Sequence, residues 1–300
     1  MRELLPRKRQ AKWSRIIAVL LLGSLFTGIG QARPHRKKKL RSRAVSTVPA
    51  PPSPEVEARI RQEVEQATSA LLLLDPANLL ANPHVVQAMY FHDGFLQNSL
   101  SDKAQADPSL RIAASVGRKV TPEVKARFLQ MLREVYAEEL SSLTPDETVS
   151  APVPVLEPSG RARRFTHTDA VDLFAAEGTP VAAAASGVVI LAQSGWVPDD
   201  PFSTSSAKGG NTVIVFNPAR SRFYRYAHLE TVQVNPGTLV EAGQTLGTVG
   251  HTGRNAALPG HGRHLHFEIN QFDGSSVRAW QAGELWSLLR RTRRGESAPQ

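Results

Sequence analysis

Two hydrophobic rhythms divide this chain. Val56, Ile60, Val64, Ala67 and Leu71 recur with a helical period. Ser53, Pro54 and Glu55 supply the N-cap, first helical position and first-turn acid that open such a helix. A second helix is predicted over Pro83–Tyr90. A third starts at the Thr121 cap and Pro122 and runs through Phe128, Met131, Leu132 and Val135 to Leu140. Residues 54–144 therefore read as an α-helical hairpin or small bundle, whose His84 and His92 look like surface or helix-end residues. The basic and Pro-rich stretch 33–53 precedes it, and a second linker, 145–163, repeats Val and Pro without a helical period.

From Phe165 onward the rhythm changes to short runs of Val, Ile, Phe, Tyr and Thr bounded by Gly, Pro, Asn and Asp. Candidate strands are Pro180-Val181, Gly187–Leu191, Asn211–Phe216, Arg222–Tyr226, Val232–Val234, Thr245–Val249 and His264–Ile269. Asn217–Arg220 forms a hairpin turn between two of them. Residues 164–275 thus suggest a sandwich or barrel-like sheet. In the last segment, 276–300, Ala279–Arg291 returns to a helical period before a polar, basic tail. The fold class is α+β: an N-terminal helical segment followed by a mainly antiparallel β domain.

A net charge of +9 raises the question of a nucleic-acid partner. Met1–Arg43 alone holds 13 Lys and Arg against one acid, Glu3, which leaves the remainder net negative at −3. The basicity belongs to an N-terminal arm, and no nucleic-acid partner is expected. That arm has a cationic start, an apolar run from Ile16 to Ile29 and small residues at Gly30 and Ala32, the layout of an export signal. Residues 1–32 read as a cleaved signal peptide or a retained N-terminal membrane anchor, although the run is shorter than the roughly 20 apolar residues of a spanning helix. Either reading puts the protein in the periplasm or cell envelope, and the second ties it to the inner membrane. The chain has no cysteine, which excludes disulfides, thiolate metal sites and a cysteine nucleophile. A metal would have to be held by histidine and carboxylate.

His264-Leu265-His266-Phe267-Glu268 lies within a predicted strand, so His264 and His266 share one face while Leu265 and Phe267 point into the core. Two imidazoles on one face suit a metal and a base, and they also suit a pair of half-exposed strand histidines. Further motifs narrow the choice. The segment Asp172–Val181, Gly210–Val213, the tetrapeptide Tyr226-Ala227-His228-Leu229, Gly243–Gly247 and Gly250–Arg254 stand in order before His264-Leu265-His266. Together, from Arg164 to Asn270, they resemble the LytM/lysostaphin-type zinc metallopeptidases of family M23. The resemblance does not extend to the helical segment.

It implies an M23/LytM-type β domain with a Zn(2+) cofactor on Asp172 and His266, flanked by catalytic His228 and His264. It also implies peptidoglycan as substrate, with hydrolysis of a peptide bond in a cross-link or stem peptide. His264 would serve as base and His228 would stabilise the oxyanion. The family places its first ligand four residues before the Asp, where this chain has Thr168; the nearest histidine is His167. A one-residue shift turns a strand side chain to the opposite face, so His167 reaches the metal only if residues 168–170 leave strand geometry. Asp169 would need the same distortion. Tyr226, read as sharing the face of His228, is either a candidate to orient it or the substrate or a cross-strand packing tyrosine, and the loop histidines His251 and His261 are either substrate contacts or surface residues. Glu268 is a candidate partner orienting an imidazole. The insertion Val197–Lys208 should form a mobile wall of the cleft.

Two alternatives compete with the enzyme. A catalytically degenerate LytM-type domain would bind murein or regulate an amidase partner, and the helical segment could contact a protein partner or shield the groove. Gly237–Gly247 also looks like half of a lipoyl or biotinyl carrier motif, but the only lysine of the β region is Lys208, in an irregular Ser-rich loop.

Overall fold

The computed structural model describes residues 52–73, 75–90, 107–142, 150–154, 167–204, 206 and 208–293. The signal or anchor of 1–32, most of both linkers, His92 and the tail beyond 293 lie outside the described residues. No helix among those described is long and apolar enough to cross a membrane.

Six helices precede the sheet among the described residues: α1 (Pro54–Leu73), α2 (Pro76–Ala81), α3 (Pro83–Tyr90), α4 (Pro108–Gly117), α5 (Pro122–Val135) and α6 (Ala137–Ser142). One device opens three of them. Asp75, Asp107 and Thr121 each cap a backbone N–H three residues on and are followed by proline, which has no N–H to leave unpaired. Helices α2 and α4 go beyond the sequence expectation, and the predicted third helix is broken at Tyr136. His84, expected at the surface or at a helix end, lies in the first turn of α3 and is buried, with Nε2 3.5 Å from a Glu63 carboxylate oxygen.

The β region contains β1 (Val171–Phe174), β2 (Pro180–Ala182), β3 (Gly187–Gln193), β4 (Thr212–Asn217), β5 (Arg222–Ala227), β6 (Leu229–Val232), β7 (Leu239–Val240), β8 (Thr245–Val249), β9 (His264–Phe272) and β10 (Val277–Ala279), followed by α7 (Ala282–Arg293). Seven strands make one sheet in the order β1-β9-β5-β4-β3-β7, with β10 also on β9; β2-β8-β6 make a second. All the pairings are antiparallel. Three short strands, β1, β7 and β10, are additions, and the strand expected at Val232–Val234 lies earlier, at Leu229–Val232.

One face of the large sheet, with Val213, Tyr226, Leu265, Phe267 and Ile269, packs against the small sheet and α7 through Leu246, Val249, Leu285 and Leu289. The other face carries Ile214, Phe216 and Phe223 into a core shared with Val85, Met89, Ile112, Phe128 and Leu132 of the helices. Residues 47–300 cluster as one compact unit that holds both the helical segment and the sheet.

Strand register ranks what lies along that second face. Phe216, Phe223 and Asn270 form one row, Ile214, Arg225 and Glu268 the next, and Thr212, Ala227, His266 and Asp172 the next. Cross-strand partners share a face, so helix-covered apolar rows lead directly into a row bearing an aspartate and a histidine.

Candidate metal centre

Asp172 on β1 stands opposite His266 on β9, with Asp172 Oδ1 3.0 Å from His266 Nδ1. His167 precedes β1 in a segment that bends at Thr168 and Asp169. That departure from strand geometry turns its ring inward, and His167 Nε2 comes 3.4 Å from Asp172 Oδ2. The His167 ring meets that of His266 edge-on at 4.7 Å. Ligand atoms of His167, Asp172 and His266 all lie within 4.8 Å of one another. Tetrahedral zinc with bonds of about 2.0–2.1 Å needs ligand atoms roughly 3.4 Å apart, so the donor set and its spacing fit such an ion. Asp169 is not in this cluster.

His228 and His264 flank it, their rings 4.9 Å apart. Strand β5 ends at Ala227, and His228 adopts a left-handed φ of 64°, a conformation uncommon outside glycine. Its N–H donates to the Gly209 carbonyl and its Nδ1 lies 2.7 Å from the Thr252 carbonyl oxygen. His264 Nδ1 likewise lies 2.9 Å from the Gly262 carbonyl oxygen. A carbonyl can only accept, so both Nδ1 atoms are assigned the proton and both Nε2 atoms the lone pair. Burial, followed for His228 by its histidine neighbours, lowers both pKa values and keeps these rings neutral near pH 7.

His266 differs. Burial alone would lower its pKa, but hydrogen bonds to Asp172 and Glu268 outweigh it and raise the value to about 9. Burial likewise pushes Asp172 up, and its hydrogen bonds with His167 and His266 bring it far below the ordinary carboxylate range. His266 Nε2 lies 2.7 Å from Glu268 Oε1, which directs Nδ1 toward Asp172. Glu268 also accepts from Arg225 Nη1 at 2.6 Å and from the Tyr90 hydroxyl.

Three expectations change. Tyr226 is wholly buried and its hydroxyl accepts the Ala184 N–H at 2.7 Å, so it is a core residue and not a substrate contact. The positive φ of His228 ends the strand alternation that placed the two residues on one face. The described part of the 197–208 insertion is pinned to the helices: Ser109 Oγ donates to the Pro201 carbonyl at 2.6 Å, and Arg59 stacks over Phe202 at 4.0 Å. His251 and His261 lie outside the three-ligand cluster. His251 is exposed, 3.6 Å from a Glu177 oxygen that also pairs with Arg263, and His261 is half-buried. Arg225 and Tyr90 escaped sequence reasoning. Arg225 shares the strand face of Phe223 and Ala227, and a charge within that apolar row was an available signal, whereas nothing local marks Tyr90.

A histidine–aspartate cluster able to hold a metal lies on an antiparallel sheet, with two neutral histidines beside it. The family model of Peptidase family M23 matches residues 166–279, and the C-terminal half of the chain contains an M23/LytM-type domain. Lysostaphin of Staphylococcus simulans is 35% identical over 111 residues, covering 36% of this chain and 19% of that protein. Glycyl-glycine endopeptidase ALE-1 of Staphylococcus capitis is 33% identical over 111 residues, covering 36% of this chain and 26% of that protein. The matched region therefore spans about a fifth to a quarter of these relatives. The solved structure of the antimicrobial peptidase lysostaphin from Staphylococcus simulans is 27% identical and covers 44% of this chain and 50% of that one, with a TM-score of 0.31.

Proposed function

We propose that this protein is a zinc metalloendopeptidase that hydrolyses peptide bonds of bacterial peptidoglycan, acting outside the cytoplasm in cell-wall remodelling. The observation that carries the reading is the convergence of His167, Asp172 and His266 beside two histidines with unprotonated Nε2 atoms. A zinc ion held there would polarise an amide carbonyl and make a water acidic enough to attack at neutral pH.

The remaining work falls to the chain. His264 Nε2, 3.7 Å from Asp172 Oδ1, is placed to take a proton from the attacking water. As the new C–O bond forms and the C–N bond breaks, His264 returns that proton to the leaving amine nitrogen. His228 starts with no proton on Nε2, so it can donate to a developing oxyanion only after gaining one. Either neutral ring can therefore accept first, and the two can share the duties of base and oxyanion donor. The degenerate-domain reading is the weaker one, since the ligand cluster and both flanking histidines are present together.

The full chain is the right material for the test, because helices and sheet share a core. Elemental analysis of the parent should find about one zinc per chain, and purified murein should release soluble peptides. His167→Ala should lose both zinc and cleavage. A parent that neither retains zinc nor cleaves murein would overturn the enzyme reading and leave murein or partner binding.

A further inference from the structure

Tyr90 is the last residue of α3, and it is fastened to β9 at two points. Its hydroxyl donates to Glu268 Oε2, and its backbone carbonyl accepts from Asn270 Nδ2 at 3.4 Å. Its ring meets Phe223 edge-on at 6.1 Å, and the side chain is almost wholly buried at 1% exposure. Glu268 therefore receives the Tyr90 hydroxyl on one oxygen, and Arg225 Nη1 and His266 Nε2 on the other. No covering role requires a tyrosine hydroxyl at this carboxylate, because a phenylalanine would fill the same space.

We propose that Tyr90 is a positioning residue for the metal ligand His266, acting through Glu268, so that the helical segment completes the metal centre as well as covering the sheet. The physical case rests on the freedom of a carboxylate. With both oxygens held, Glu268 can neither rotate nor swing away, and its fixed Oε1 pins the proton of His266 to Nε2. The Nδ1 lone pair is then directed at the space between Asp172 and His167. A partner that orients a ligating histidine in this way typically contributes 10- to 100-fold in metal affinity. Without the hydroxyl, one oxygen of a buried carboxylate loses its donor and the group can turn. The proposal rests on the metal reading of His167, Asp172 and His266, and does not depend on which bond is cut.

The test measures zinc dissociation constants of the full chain by competition with a chromophoric chelator, with murein cleavage followed in parallel. Tyr90→Phe should weaken zinc about 10-fold, and Glu268→Gln should weaken it by 10- to 100-fold. The double variant should be no weaker than Glu268→Gln, because Tyr90 acts only through that carboxylate. Leu129→Ala, which truncates a fully buried side chain of the helical core that makes no hydrogen bond to Glu268, is the control for general destabilisation and should keep the parent zinc affinity.

Zinc affinity within twofold of the parent for Tyr90→Phe would overturn the proposal. So would a double variant whose loss is the product of the two single losses, or a Leu129→Ala variant that loses zinc as strongly as Tyr90→Phe. A parent that binds zinc but leaves murein intact would sink the peptidase reading while the Tyr90 test proceeds on affinity alone. A parent that binds no zinc would sink both.

Discussion

Replacing Phe128 with alanine removes a fully buried ring of α5 from the core that the helices share with the large sheet. Truncations of this kind cost about 3–5 kcal/mol, from lost burial and the cavity left behind. In a unit of this size a loss of 1 kcal/mol lowers the melting temperature by about 2–4 °C, so a shift of roughly 6–20 °C is expected. The tryptophans outside the N-terminal arm, Trp196, Trp280 and Trp286, all lie in the C-terminal half, with Trp280 and Trp286 packed in the sheet-side core, which allows the two halves to be followed separately. Far-UV circular dichroism reports mainly the helices, and tryptophan fluorescence reports the sheet side, where Trp280 is buried in the second core. Both signals should move down together in Phe128→Ala. A fluorescence transition that stays at the parent temperature while the helical signal melts earlier would show that the helices fold as a separate unit, and would refute the shared core.

Four further outcomes follow from the geometry. With a pKa near 9, metal-free His266 carries a proton at pH 7 that a metal must displace; zinc uptake should then release about one proton, and apparent affinity should fall about tenfold per pH unit below 9. Calorimetry in buffers of different ionisation heats would read this, and proton-free uptake at pH 7 would refute it. The same raised value stabilises the metal-free fold fully below about pH 6.5, with the contribution lost as pH rises through about 9. Gly210→Ala places a Cβ 2.4 Å from the Thr252 carbonyl carbon at a φ of 62°, so it should displace the carbonyl that holds His228. Murein cleavage should fall while zinc content, measured by elemental analysis, stays at the parent level. Asp107→Ala removes the α4 cap and the partner of Arg254, and should lower stability in denaturant by about 1–2 kcal/mol.

Alternation made β9 legible in the sequence, because polar histidines on one face and Leu265 and Phe267 on the other are a strong period-two signal. Helix α5 was legible for the corresponding reason, an apolar stripe opposite a charged face. Helix α4 was not, since eight of its ten residues are buried and a helix buried nearly all round has no stripe to find. Its Asp107-Pro108 opening was visible and is the same device as Thr121-Pro122. Strands β7 and β10 are two and three residues long, too short for a period. Among the site residues, His167 could be named only conditionally, because the bend at Thr168 and Asp169 is a three-dimensional fact. Tyr226 was misplaced because alternation was carried one residue past the end of β5, through the positive φ of His228. Tyr90 and Glu268 lie 178 residues apart, a separation across which neither period nor spacing carries information.

That separation also fixes an order of assembly. The helices are synthesised first, yet they offer Val85, Ile112 and Phe128 to a sheet surface whose strands are completed last. His264 and His266 sit on β9, so a chain released before that strand has emerged lacks two of the five histidine and aspartate groups of the centre. Long-range closure of this kind is slow and must wait for distant segments to meet. The five groups therefore cannot come together until β9 has emerged and paired with β1 and β5.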